Sequence, residues 1–182
     1  MKNVVYFDLE TQHAFGDVGG RSADHLRRLK MSIAVTFSTQ AGEYCIYHEG
    51  TAERLIQQLL KADLVVGHNV VAFDYHVLSA YTALDLRQIP TLDTLIALEK
   101  ILKHRLSLDA IARATLGAAK SAGGLDAVRW WRDGGPENIL KIAEYCCHDV
   151  KLTRLVHEFG RQHGQVHYRD RFGQKRTVHV QW

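Results

Sequence analysis

The chain has 182 residues, 46% of them hydrophobic and 24% charged, and 23 Lys and Arg against 20 Asp and Glu give a formal net charge of +3. That length and balance suit one globular domain, residues 1–182, with a core large enough to need no staples, and they exclude a chain disordered throughout. No apolar run approaches the roughly 18 residues of a membrane helix, and the start lacks a secretory leader's charged-then-apolar pattern, so a cytoplasmic protein is expected.

The first strand, Val4 to Leu9, is apolar on both faces, as a central strand covered on both sides would be. It runs into FDLET, Phe7 to Thr11, which sets two carboxylates one residue apart. A Gly-containing segment, residues 12–30, follows, with a short basic helix expected from Ser22 to Lys30. Strands at Ile33 to Ser38 and Tyr44 to Tyr47 are parted by Thr39-Gln40-Ala41-Gly42 as a hairpin turn would part them. Thr51 opens a helix with Leu55, Ile56, Leu59 and Leu60 at helical spacing, and Leu64-Val65-Val66 is a short buried strand. Further helices are expected over Val71 to Ala80, Leu92 to Leu102 and Leu106 to Leu116. Gly117, Gly123 and Gly124 bracket a loop. A long helix starts at Pro136, which suits a first turn, and runs to about Phe159. Alternation around Arg171-Phe172-Gly173-Gln174 predicts a terminal hairpin within residues 165–182. Strands first, then strand and helices alternating, argue for an α/β fold: a mixed sheet flanked by helices.

Cys45, Cys146 and Cys147 are odd in number and form no C-x-x-C pair, so they read as reduced structural thiols. Charge is distributed unevenly. From Lys151 to Trp182 there are seven Lys or Arg against two Asp or Glu, with four histidines besides. A basic end on a slightly acidic body suits a polyanion, or is simply a solvated surface.

Residues i and i+2 of a strand face the same way, so Asp8 and Glu10 project together. Two carboxylates about 4 Å apart repel by about 4 kcal/mol at an effective dielectric near 20, a cost that a divalent cation removes. A frayed strand end is the alternative. A second acid, Asp74, lies in LVVGHNVVAFDYHVL about one turn into the helix that Asn69 can cap, beside the stripe of Phe73 and Val77; alone, it could simply complement the positive helix end. A third segment, IAEYCCHDVKLT, places Tyr145 and Asp149 four apart on one flank of the stripe Ile139, Ile142, Ala143, Cys146 and Val150. Each segment is commonplace by itself.

FDLET, then N-x-x-x-F-D at Asn69 to Asp74, then Y-x-x-x-D at Tyr145 to Asp149 together resemble the three motifs of the DEDD (DnaQ-like) superfamily of 3′-to-5′ exonucleases. The resemblance implies a ribonuclease H-like fold with a five-stranded mixed sheet. Where one subtype carries histidine, five residues before the last aspartate, this chain has Glu144; Tyr145 matches the DEDDy branch, which includes polymerase proofreading domains, Werner-type exonucleases and ribonuclease D. The nearest likeness is to small stand-alone bacterial YprB-like predicted exonucleases. Two features depart from a proofreading domain: the segment after Glu10 is long, and no polymerase or helicase follows.

By that resemblance Asp8, Glu10, Asp74 and Asp149 would hold two Mg²⁺ or Mn²⁺ ions, and the expected activity is two-metal hydrolysis at single-stranded DNA or RNA 3′ ends, releasing nucleoside 5′-monophosphates. Tyr145, with an ordinary pKa near 10, would position the attacking water. Thr11 would offer its backbone to the terminal nucleotide, Asn69 would cap a helix or touch substrate, and Lys120 would contact phosphate or be merely solvated. Trp130 and Trp131 are candidates for base stacking or for core. His13, His68, His76 and His148 lack a zinc-like partner set and read as structural or surface residues. A catalytically silent nucleic-acid-binding module and a ribonuclease H-like endonuclease are the alternatives.

Overall fold

In the computed structural model, which describes residues 2–118 and 123–182, five strands form one mixed sheet in the order β3-β2-β1-β4-β5. β1 (Val4–Thr11) lies at its centre, α1 (Phe15–Val18) and α2 (Ala23–Arg28) follow it, and β2 (Met31–Ser38) and β3 (Glu43–His48) form the antiparallel half. α3 (Ala52–Leu60) then leads to β4 (Leu64–Gly67), which is parallel to β1 and pairs it only from Val4 to Tyr6. After α4 (Asp74–Leu78), β5 (Thr91–Asp93) adds parallel to β4. α5 (Thr94–Leu102), α6 (Leu108–Leu116), α7 (Gly124–Asp133) and α8 (Pro136–His163) follow, and β6 (Gln165–Arg169) and β7 (Lys175–His179) make a separate antiparallel pair. No helix among the described residues is long and apolar enough to cross a membrane.

The period of two in β1 sorts its side chains between two cores. Val5, Phe7 and Leu9 join Leu55, Leu59 and Val77 on one face, whereas Tyr6 joins Ile142, Cys146 and Val150 of α8 on the other. A third cluster ties Val166, Val178 and Val180 of the terminal hairpin to Leu152 and Val156 of α8 and to α6. The residues expected as the α8 stripe are thus its buried face. That helix continues past Phe159 to His163, where Gly164 (φ 65°) ends it in the left-handed conformation open to glycine.

Several expectations shift. The helix foreseen from Val71 starts only at Asp74, because the Asp93 carboxylate accepts from the Asn69 and Val71 amides at 2.9 and 3.0 Å and holds those residues in a turn. Asn69 therefore caps no helix; it sits at φ 73°, and its Oδ1 accepts from Arg105 Nη2 at 2.7 Å. Asp93 also splits the Leu92 to Leu102 prediction: residues Thr91–Asp93 pair with β4, and the same carboxylate then caps α5 through the Leu95 and Ile96 amides. The glycines around residue 123 border α7, not only a loop, and both Trp130 and Trp131 pack against the α8 core, the former edge-on to Tyr145 with ring centroids 6.5 Å apart. Lys120 lies outside the described residues. Cys45, Cys146 and Cys147 are free thiols, as expected.

Towards the far end of α8, Tyr6 Oη and His157 Nδ1 share a 2.9 Å hydrogen bond in the core, and Trp182 Nε1 donates to the His157 carbonyl at 3.1 Å. Burial lowers the His157 pKa from 6.5 to about 4. The unfolded chain therefore binds a proton that the folded one refuses between those values, so this site's stabilisation is complete above pH 6.5 and is lost as pH falls towards 4. Melting temperature measured across that range should drop with acidification, and His157→Gln should flatten the drop while lowering the melting temperature at pH 7.5.

Candidate active site and metal centre

β1 and α8 lie side by side and run in opposite senses: Tyr6 meets His157, Asp8 meets Cys146, and Glu10 comes next to Tyr145. Four strand residues advance about 13 Å, and the eight to twelve helix residues from His157 back to Asp149 and Tyr145 advance about 12–18 Å. The two elements therefore stay level, and one carboxylate oxygen each from Asp8, Glu10 and Asp149 come within 4.8 Å of one another. Asp149 is 2% exposed and Glu10 8%.

Asp74 arrives from the β4 side. Because β4 ends at Gly67, β1 continues past it with an unpaired edge, and the Leu9 amide donates to Asp74 Oδ1 at 3.0 Å in place of a ladder partner. Gly67 makes the departure possible: a Cβ there would lie 2.1 Å from a Val70 methyl and 3.1 Å from the Phe7 carbonyl. Asp74 thus opens α4 at its first residue, not a turn further in, and lines one cavity of about 470 Å³ with Asp8, Glu10 and Asp149.

Each site group is tuned by its neighbours. Burial, then the Asp8 charge, push the Asp74 carboxyl well above its ordinary range, with the Leu9 amide pulling the other way. Burial followed by Glu10, Asp149 and Asp8 drives the Tyr145 phenol far up, so it stays protonated and hydrogen-bonds Asp149. Cys146 is likewise held as a thiol by burial and by Asp8, and its Sγ donates to the Asp8 carbonyl and to Oδ2 at 3.3 and 3.4 Å. The donor set is all carboxylate oxygen, which fits hard divalent cations such as Mg²⁺ or Mn²⁺ better than zinc. Asp8, Glu10 and Asp149 could hold such an ion between them, with Asp74 beside them.

Other residues that line the cavity have different chemistry. Phe15 and Phe73 meet edge to face at 5.9 Å between centroids, the Arg21 guanidinium lies 4.3 Å over the Phe15 ring, and Leu125 at the start of α7 is 77% exposed. Neither Phe15 nor Arg21 carried a signal in the sequence, because the fold of residues 12–30 decides where they go. Asp93 did carry one: an acid directly before an apolar helical run is a capping signature. Thr11 lines the cavity with its hydroxyl donated to the His13 carbonyl at 2.9 Å, and Asn69 forms the rim beside Arg105. His68 lines it too, held through Nδ1 by Thr94 and through Nε2 by the Leu106 carbonyl, the structural role expected of it.

A family model described as the RNase H superfamily matches residues 5–159. Among solved structures, the family B DNA polymerase from the hyperthermophilic archaeon Pyrobaculum calidifontis is similar, with a TM-score of 0.65 and 14% identity. That likeness covers 88% of this chain and 24% of the polymerase, so it speaks for the fold. No protein of curated function matches the sequence.

Crowded acids predict a linkage between metal and stability. Saturating Mn²⁺ should raise the melting temperature, by about 2.7 kcal/mol of stabilisation at a hundredfold excess over the dissociation constant, and Asp149→Asn should lose most of that rise. In EDTA, Asp8→Asn should melt a few degrees higher than the unsubstituted protein, about 1 kcal/mol, by relieving repulsion with Asp74. A metal-independent melting temperature would remove the case for a cation here.

Proposed function

The chain belongs to the RNase H superfamily, and we propose that within it this protein is a metal-dependent 3′-to-5′ exonuclease of the DEDDy type, close to the YprB-like group, acting on single-stranded nucleic acid. Fold and family support nuclease activity in general, and with it a nucleic-acid substrate. The observation that carries the finer reading is the convergence of Asp8, Glu10 and Asp149, with Asp74 and Tyr145, on one cavity from three distant segments. The nuclease unit takes in residues 1–182, the hairpin at 165–182 being its appendage.

In this reading Asp8, Glu10, Asp74 and Asp149 are the metal-holding residues. Divalent ions bound there would supply Lewis acidity, making water a nucleophile near neutral pH and offsetting charge on the phosphate. Tyr145 stays protonated, so it orients the attacking water and does not take its proton. Phe15 and Phe73 offer apolar faces to a terminal base, and Arg21 offers a guanidinium to a phosphate. Cys146 fixes Asp8 by donating to it, which makes it a positioning residue. Thr11 and Asn69 border the place where the end of the strand would sit.

A 5′-labelled single-stranded oligonucleotide incubated with Mn²⁺ should shorten from its 3′ end in single-nucleotide steps, and a circular strand should survive. Asp8→Ala and Asp149→Ala should each lower the rate about a thousandfold or more, while Tyr145→Phe should cost about ten- to a hundredfold. Wild-type turnover in either Asp variant would overturn the scheme, cleavage of the circle would make the protein an endonuclease, and binding without cleavage would leave a silent binding module.

A further inference from the structure

The cavity does not stop at the acids. A second hollow, of about 520 Å³, adjoins it and is lined by His13, Asp17, Val18, Arg28, Lys30 and Arg132. Three features make the two continuous. His13 lines both. On one side, α7 contributes Leu125 and Val128 to the cavity and Arg132 to the hollow, three positions on one helix face that span about 10 Å. On the other, the His13 amide donates to the Leu29 carbonyl at 3.1 Å, and Leu29 lines the cavity while its chain neighbours Arg28 and Lys30 line the hollow.

This lining carries a surplus of positive charge. Its one acid, Asp17, is committed to the Ala14 amide at 2.7 Å and to the Arg132 guanidinium, which keeps further N–H donors. Arg28 is exposed and forms no ion pair among the described residues. Lys30 lies 3.8 Å from Glu49, an exposed pair that contributes little and leaves the ammonium able to turn to another anion. The packing does not ask for these cations, because the residues that anchor this segment are the apolar Val18, Leu26 and Leu29.

We propose that this hollow is a phosphate subsite for single-stranded nucleic acid: a strand whose last nucleotide occupies the cavity passes His13 and lays its next phosphates against Arg28, Lys30 and Arg132. The proposal rests on the nuclease reading for what fills the cavity, but its test does not require cleavage. Phosphate contacts of this kind hold and orient a strand without reading its sequence. Residues 12–30, the segment that lengthens this chain after Glu10, thereby supply one side of the route by which the strand arrives.

Fluorescence anisotropy in EDTA with labelled strands, from a dinucleotide to about eight nucleotides, reads the subsite directly. A dinucleotide has one internucleotide phosphate, the one the acids would receive, so affinity should rise as further phosphates reach the hollow. Arg28→Gln with Lys30→Gln should remove most of that rise and leave the dinucleotide's affinity as it was. For the longest strand, the slope of log affinity against log salt should become shallower by about 1.4, at about 0.7 for each lost single-strand phosphate contact. Arg28→Lys with Lys30→Arg should restore both the rise and the slope. Arg54→Gln with Lys61→Gln, the same loss of charge beside Asn3 at the opposite end of β1, should change neither. Length-independent affinity, or an equal effect of the two neutralised pairs, would overturn the subsite. So would an equal loss for the dinucleotide and the longest strand, which would make the cations a counterweight to the field of the acids. Hollow-dependent binding with no hydrolysis in Mn²⁺ would retain the subsite and overturn the nuclease reading.

Discussion

Repulsion among buried carboxylates is the constraint around which this molecule is arranged. Asp8, Glu10 and Asp149 crowd together, and Asp74 stands near enough for Asp8 to raise its pKa. A fold left to itself would splay such residues into water. Here Asp8, Glu10 and Asp149 ride on the central strand and the 28-residue helix laid along it, whose facing side chains share one core cluster, so separating them would mean opening that core. Small features serve the same end: β4 stops early, Gly67 lets the chain turn beneath β1, and the freed Leu9 amide becomes the donor that holds Asp74.

The same crowding decides what the neutral groups can do. Tyr145 and Cys146 are held protonated by burial and by the surrounding negative charge, which makes both of them donors. Phe15, Phe73 and Arg21 add apolar and cationic groups to the lining of the cavity that holds the acids.

Much of this could be read from the chain, for a local reason. The strand period puts Asp8 and Glu10 together and the helix period puts Tyr145 and Asp149 together, so each pair needs only its own element. The long helix, the hairpins and the β1, β2 and β4 strands declare themselves by periodicity. What escaped depends on contacts between elements. Asn69 looks like a cap because it precedes an apolar run, and only Asp93, from a strand three residues long, turns it into a rim residue. The start of α4, the β5 pairing and the position of Phe15 are likewise settled by partners far away in sequence, which no local pattern contains.

The excursion between β1 and β2 closes on itself: the Gln12 and His13 amides donate to the Lys30 and Leu29 carbonyls at 2.9 and 3.1 Å, just beyond the Thr11–Met31 pair. It is therefore hung on a finished ladder, and the acids do not depend on it for their register. Its own anchors are the buried Val18, Leu26 and Leu29. Redesign of that excursion, keeping those three residues, would therefore reshape the part of the cavity lined by Phe15 and Arg21 while leaving the acids in register.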